Sequence, residues 1–535
     1  MYTEKITQLV DDIKGICNNN GLWWDANEYK IVTQSFLYKF LNDKFLHEIQ
    51  KVNPSLTTYD EIKKLSENDY NILLMRIGVN SARLQAEHLL TYLFEHQNDD
   101  DIAQQFDETL NDIAIQNNDL FSVHTGENTD IRLFDESLIQ SAVSDKQNYN
   151  KVARGIINKL INCKFDFDEV FNQGFDFFST IFEYMIKDYN KDGGWKYAEY
   201  YTPHSVAKVI AKVLVGQEAI SNVTVYDPAA WSGTLLMNLA NEIGVNQCTI
   251  YSQDINQKST NLLRLNLILN NLTHSINHIV QGNTILENRH KEKMDFIVSN
   301  PPFKLDFSDW RDEVEQLPNS QERFFAGVPT IPNKKLESMA IYLLFIQHIL
   351  YSLSDTGKAA IVVPTGFITA QSGIEKKIRE RIIDRNWLKW VVSMPSNIFA
   401  TTGTNVSVIF IDKTRKDGDE IMLIDASKLW ETVKEWKNQK TYLRDNEQQQ
   451  IIDTFKNMEV TEDFSVKVTN EQIKEKNYSW SAGQYFEIKI EHIDITAEEF
   501  ENRMTNYKQN LKGYFEEWKK LEDDIFSQLN GLKYE

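Results

Sequence analysis

From about Phe165 onward, short runs of β-branched residues recur at intervals, each followed by a stretch with helical spacing. TVYDPA begins at Thr224, TIYSQD at Thr249, FIVSNPP at Phe296 and AAIVVP at Ala359. WVVSMP from Trp390 and VSVIFID from Val406 continue the series. Apolar strands alternating with helices cannot bury themselves as hairpins. They predict an α/β domain with a doubly wound, Rossmann-like parallel sheet covered by helices on both faces. In such sheets ligands bind at the carboxyl ends of the strands, near the point where strand order reverses. Residues just after each apolar run are therefore the first candidates for chemistry.

The flanks read differently. Phe36, Leu37, Phe40 and Leu41 mark one face of a helix, and Tyr70 to Phe94 continues the pattern with Leu73, Leu74, Ile77, Leu89, Leu90 and Leu93. An all-helical N-terminal domain is expected over residues 1–165, the sheet domain over 166–425, and a helical C-terminal extension over 426–535. Within that extension Phe500, Met504, Tyr507, Leu511, Tyr514, Trp518, Leu521 and Ile525 alternate steps of four and three, a heptad seam. A long helix over about 496–530 would carry it, either packed on its own domain or meeting a partner.

Composition narrows the function classes. The 535 residues carry 57 Lys and Arg against 78 Asp and Glu, a net charge of −21. Phosphate contacts depend on basic side chains, so a duplex-binding partner is expected to supply much of any grip on DNA. The three cysteines form no closely spaced pair, which speaks against a disulfide framework or a zinc site. No apolar run reaches the roughly 20 residues needed to span a bilayer. The N-terminus lacks the pattern of a signal peptide, so a cytoplasmic location is expected.

The strongest chemical signal is Asn300-Pro301-Pro302-Phe303, directly after the run Phe296-Ile297-Val298-Ser299. The exocyclic amine of a base is a poor nucleophile, because its lone pair is delocalised into the ring. Two acceptors aimed at its hydrogens favour a pyramidal nitrogen and support the positive charge that develops on it. The Asn300 side-chain oxygen and the Pro301 carbonyl are suited to that task, and the prolines stiffen the backbone that presents them. Phe303 offers a face on which an extruded base can stack. Such chemistry needs neither a metal nor a charged general base.

A second signal is Asp227-Pro228-Ala229-Ala230-Trp231-Ser232-Gly233-Thr234, where a strand enters a tight loop and a helix leaves it. That arrangement brings backbone N–H groups to a ligand carboxylate. The next strand ends in Asp254, placed to accept hydrogen bonds from ribose hydroxyls. Two weaker elements complete the set. Glu199-Tyr200-Tyr201-Thr202-Pro203-His204 precedes a helix that Pro203 is suited to open. Gly282-Asn283-Thr284 follows the run Ile279-Val280 and is placed to line an adenine pocket.

Taken in order, these elements resemble the modification subunits of type I restriction-modification systems, a family of N6-adenine DNA methyltransferases. The resemblance covers nearly the whole chain. EYYTPH looks like the family's cofactor-covering motif, DPAAWSGTL like its glycine-rich loop, SNPPF like its catalytic motif, and Gly403-Thr404-Asn405-Val406-Ser407 like a stretch late in its sheet. It implies that Glu199 to His204, Asp227, Pro228, Ala229, Ser232 to Thr234, Asp254 and Asn283 contact S-adenosylmethionine. Asn300 to Phe303 would hold the target adenine. It implies a separate specificity subunit that reads the DNA site, two modification subunits joined to it, and a restriction subunit that can join the complex. It places the activity on an adenine flipped out of duplex DNA; the motif alone leaves cytosine-N4, RNA or protein amide acceptors open. One departure stands out: the family's loop has glycine where this chain has Trp231, and glycine also where Ala198 stands. Either the loop is re-routed and still binds, or the chain is an impaired assembly subunit. Relief of strain by Trp231→Gly is then expected to tighten cofactor binding.

Overall fold

The computed structural model describes residues 2–22, 26–78, 81–125, 129–165, 184, 202–217, 219–399, 405–429, 431–435, 438–486 and 496–531. Two compact units emerge, Met1–Tyr485 and Phe486–Glu535.

The first unit is organised by an eleven-stranded sheet. Its middle is parallel: β5 (Ile279–Gln281), β4 (Cys248–Asp254), β3 (Val223–Asp227), β6 (Met294–Ser299) and β7 (Leu353–Pro364) lie side by side in that order. Strands buried on both faces need continuous apolar runs, and Val225, Tyr226, Ile297, Val298, Ile361, Val362 and Val363 are all fully buried. The largely apolar helix Tyr342–Ser352 is interior as well, burying Gln347 and His348 along with its apolar side chains. The chain runs from β3 outward to β4 and β5, then crosses back to β6 on the other side of β3. The order thus reverses between β3 and β6, and the crevice at their carboxyl ends is where such a sheet accepts a ligand. The doubly wound arrangement is the one expected from the strand–helix alternation.

The sheet also recruits strands from beyond both expected boundaries. In the N-terminal part, expected to be all helical, β1 (Val123–Thr125) pairs in parallel with β5, and β2 (Asp130–Ile131) pairs antiparallel with β1. Two and three residues are too few to show a period, so helical spacing on either side hides them. Arg264, 3% exposed, donates to the carbonyls of Phe121 and Ile131 and fastens this segment to the helix Gln257–Leu269. The pattern from Tyr70 to Phe94 also breaks: the helix Glu67–Ile77 stops at Gly78, whose φ of +74° takes the chain out of the helix.

On the other side β7 continues antiparallel to β9 (Val406–Asp412), β9 antiparallel to β8 (Leu388–Ser393), and β8 parallel to β10 (Ile421–Asp425). The extension over 426–535 is therefore not purely helical. It supplies a hairpin of β11 (Glu431–Glu435) and β12 (Asn438–Tyr442), the helix Asp445–Asn457, and β13 (Ser465–Val468), which closes the sheet against β10.

The second unit contains the helix Ala497–Gly531, 35 residues long. Every residue of the heptad seam is exposed, from Phe500 to Ile525, with Trp518 at 63%. Among the described residues no helix is long and apolar enough to cross a membrane.

Candidate active site

The site is built where β3 and β6 end. Asp227, the last residue of β3, is 2% exposed, and its Oδ1 accepts from the Ala229 N–H at 3.0 Å and the Ser299 hydroxyl at 2.8 Å. The Ser299 bond ties the two strand ends across the switch point. Burial pushes the Asp227 carboxyl up to about 7, against the pull of those two donors.

After Asp227 the chain turns through Pro228 to Gly233 into the helix Thr234–Ile243. Gly233 is required twice over. Its φ is +81°, and a Cβ there would lie 2.3 Å from the Leu263 side chain. No side chain caps this helix, so its first N–H groups have no side-chain partner at the N-cap. Asn266 Nδ2 donates to the Ser232 carbonyl at 3.1 Å and pins the loop from below.

Trp231 occupies the glycine position of the family loop with φ +48°. The left-handed turn is kept, at a cost of about 1–2 kcal/mol for a residue with a Cβ. Its N–H donates to Asp254 Oδ2 at 3.1 Å, and its indole is half-buried against the main core. Asp254, at the end of β4, also accepts from the Asn256 N–H at 2.8 Å through Oδ1. Each oxygen thus takes one backbone donor and keeps lone-pair capacity for another. Burial pushes this carboxyl up to about 6.

Asn300 follows Ser299 directly and is 7% exposed. Its Nδ2 donates to the Thr202 hydroxyl at 3.2 Å. That bond orients the amide, and among the described residues no donor is recorded on its oxygen. Thr202 belongs to the motif that precedes the helix His204–Val215. Pro203 stands immediately before the first residue of that helix, and the His204 ring lies 3.3 Å from Asn238 Nδ2. Thr202, Asp227, Ala229, Trp231, Ser232, Thr234 and Asn300 line one hollow. Residues about 100 positions apart in sequence, from three of the four motifs, are thereby brought to one place.

Pro301 is buried, and Pro302 and Phe303 are partly exposed. The Phe303 ring is backed edge-on by Tyr342 at 6.2 Å. Tyr342 meets Phe367 at 6.1 Å, and Phe367 meets the fully buried Trp480 at 5.8 Å. This aromatic column escaped sequence reasoning, since its members lie tens of residues apart with no shared motif. Ser299 and the Thr284–Arg323 pair, treated below, were also missed as partners. Asn283 is adjacent, but its side-chain oxygen caps the turn that follows it, accepting from the N–H groups of Ile285 and Leu286. Glu199, Tyr200 and Tyr201, like Ala198, Gly403 and Thr404, lie outside the described residues. Asn405 precedes β9 and Ser407 lies within it, the latter buried. Among the described residues no cluster of His, Cys, Asp and Glu is suited to a metal ion.

A Rossmann-like sheet whose switch point carries a rigid Asn-Pro-Pro-Phe turn beside a glycine-turn loop defines a methyltransferase of amine acceptors. Residues 173–493 match the family model described as N-6 DNA Methylase, and the chain belongs to that family. Over 98% of its length it is 24% identical to the type I restriction enzyme MpnII methylase subunit of Mycoplasma pneumoniae, covering 97% of that protein. The type I restriction enzyme HindI methylase subunit of Haemophilus influenzae is 26% identical over 67% of this chain and 79% of its own. Among solved structures, the type I restriction-modification methyltransferase subunit from Streptococcus thermophilus superposes with a TM-score of 0.69. It is 22% identical, with 91% of this chain and all of that one covered.

Proposed function

We propose that this chain is the modification subunit of a type I restriction-modification enzyme and methylates N6 of adenine in a DNA site read by a separate specificity subunit. The observation that carries this reading is the shared hollow, where Asn300 faces the loop after Asp227. The residues around it suit S-adenosylmethionine. Asp254 is a partly buried acceptor with capacity left for ribose hydroxyls, and the uncapped N–H groups at Thr234 suit a carboxylate. The two acids at these strand ends, Asp227 and Asp254, suit a ligand that carries a positive charge. When bound, S-adenosylmethionine supplies the activated methyl group.

The chain's own residues do the rest. Thr202 holds the Asn300 amide through its nitrogen and leaves the oxygen to accept; that oxygen and the Pro301 carbonyl receive the two hydrogens of the target amine. Both acceptors are in place before reaction and need no reorganisation as positive charge grows on the nitrogen. Phe303, stiffened from behind by Tyr342, gives the extruded adenine a stacking face. The preserved turn at Trp231 favours this active reading over that of an impaired assembly subunit. The lack of excess basic charge suits a subunit whose DNA grip comes partly from its partners, one specificity subunit with two copies of this chain, and a restriction subunit in the full enzyme. The exposed seam on Ala497–Gly531 suits the contact with the specificity subunit.

The test is co-expression with the cognate specificity subunit, followed by mapping of modified bases in the host DNA. N6-methyladenine at one recurrent bipartite or continuous site is expected. Methylation confined to cytosine, or none at all from a stable complex, overturns the proposal.

A further inference from the structure

Three strand ends meet at Thr284. Its buried hydroxyl lies 2.9 Å from the Pro228 carbonyl and 3.0 Å from the Gln253 carbonyl. Both partners are acceptors, so the single hydroxyl proton is shared between them. Pro228 is the first residue after β3, Gln253 the last but one of β4, and Thr284 itself follows β5. These are the neighbours in sequence of Asp227, Ala229 and Asp254.

The backbone of Thr284 is held in turn. Arg323, 1% exposed, donates through Nη2 to the Thr284 carbonyl at 2.5 Å, through Nη1 to the Ile285 carbonyl at 2.8 Å, and through Nε to His348 Nδ1 at 3.0 Å. Burial and the Arg323 charge hold His348 well below its ordinary pKa, so the ring is neutral. With Nδ1 accepting, its proton sits on Nε2, which donates to the Tyr226 oxygen at 3.1 Å. The bonds therefore close a ring that leaves β3 at Tyr226 and returns to it at Pro228. Arg323 comes from the segment after the catalytic turn, which packs around Phe307, Val314, Phe324 and Met339. Among the described residues no carboxylate pairs with this guanidinium. A buried cation that spends its donors on carbonyls does less for stability than apolar packing of the same volume would. What its rigid fork supplies is fixed geometry.

We propose that Thr284 and Arg323 are positioning residues that hold the ends of β3, β4 and β5 at one spacing, so that the loop after Asp227 and the Asp254 carboxylate meet S-adenosylmethionine preassembled. This rests on the cofactor reading given above. Neither residue touches the cofactor. They act through Pro228 and Gln253.

The experiment uses the full-length chain with Thr284→Val, Thr284→Ser and Arg323→Lys. Three measurements are made on each: calorimetric titration with S-adenosylmethionine, hydrogen exchange of the amides from 229 to 234, and the melting temperature. Thr284→Val keeps the shape and loses the proton, so it should weaken binding about tenfold, the effect of one lost buried hydrogen bond. Loop amides should exchange faster by a similar factor, and melting should stay within a few degrees of the parent. Thr284→Ser should restore both binding and protection. Arg323→Lys, which cannot span two carbonyls and a ring nitrogen at once, should match the valine variant. Unchanged binding and protection in both Thr284→Val and Arg323→Lys overturns the proposal, as does a serine variant as defective as valine. The exchange arm needs no cofactor. A parent chain that binds no S-adenosylmethionine therefore counts against the cofactor reading, while loop protection still decides whether the positioning exists.

Discussion

The strand ends around Asp227 and Asn300 and the helix Ala497–Gly531 are comparably rich in large side chains and opposite in how they treat them. At the strand ends Asp227 is bonded to Ser299 and Asn300 to Thr202, and the neighbouring apolar side chains are buried. Along the helix, Phe500, Tyr507, Leu511, Tyr514, Trp518 and Ile525 are all more than half exposed. An exposed apolar stripe of that length is characteristic of a surface that meets another molecule. One region is built within a single unit and suits a small ligand. The other is a seam of heptad spacing along one helix.

The largest effect is expected at the first region. Asn300→Ala removes the side-chain acceptor for the target amine and should lower methylation by the assembled complex about 100-fold or more, with melting little changed. Turnover near that of the parent would break the assignment. Next comes the seam. Trp518→Ala should weaken assembly with the specificity subunit about 30-fold, as loss of a central aromatic anchor does. Cofactor affinity should stay the same, and removal of residues from Thr496 onward should abolish the complex on size-exclusion chromatography. Full assembly by the shortened chain would show that the seam serves this chain alone.

A smaller effect sharpens the account of the buried acids. Asp227 and Asp254 have folded pKa values raised above those of the unfolded chain, to about 7 and about 6. Their contribution to stability is complete below the unfolded value near 4 and is lost as pH rises through 6 and 7. Melting of the free chain should therefore fall by a few degrees between pH 5.5 and 7.5, and Asp227→Asn should flatten part of that slope. An unchanged slope in that variant would show that Asp227 titrates as an ordinary carboxyl.

The smallest effect concerns Trp231. Sequence alone leads one to expect tighter cofactor binding by Trp231→Gly. The structure alters the expectation, because the fold itself holds Trp231 in the left-handed turn, its N–H on Asp254 and its indole against the core. The strain then belongs to the fold and not to the binding step, so its relief leaves the affinity nearly alone. Binding by the glycine variant should stay within about threefold of the parent. Loss of the half-buried indole should lower melting by a few degrees. Tightening well beyond threefold on calorimetry would show that the indole obstructs the site.

What could be read in advance follows from distance along the chain. Asn300 to Phe303 and Asp227 to Thr234 are contiguous, and each follows an apolar run that marks a strand, so residue type and position agree. Asp254 was within reach because β4 leads directly to it. Thr284, Arg323, His348 and Tyr226 form one ring of bonds across more than a hundred positions; Thr284 and Tyr226 sit in runs the sequence marks, but nothing local ties them to Arg323 or His348. The same holds for Tyr342 and Trp480 behind Phe303. β1 and β2 were lost to their brevity, and the break at Gly78 to a spacing that happens to continue across it. Apolar periodicity reports which side a residue turns inward. It is silent on which distant segment waits there.

The pairing of β1 with β5 has a consequence for synthesis. His124 lies opposite Val280, so the short β1–β2 hairpin emerges from the ribosome about 150 residues before the strand it will join, roughly 10 to 30 seconds at ordinary translation rates. During that interval the edge of β1 turned away from β2 has no mate, and for most of it Arg264, which later clasps the carbonyls of Phe121 and Ile131, has not been made. The N-terminal helices can collapse early on their own core, but their seat on the sheet must wait. A nascent chain of this kind carries an open strand edge while more than a quarter of the sequence is translated, and cellular holdases that cover such edges should find it a client during that window.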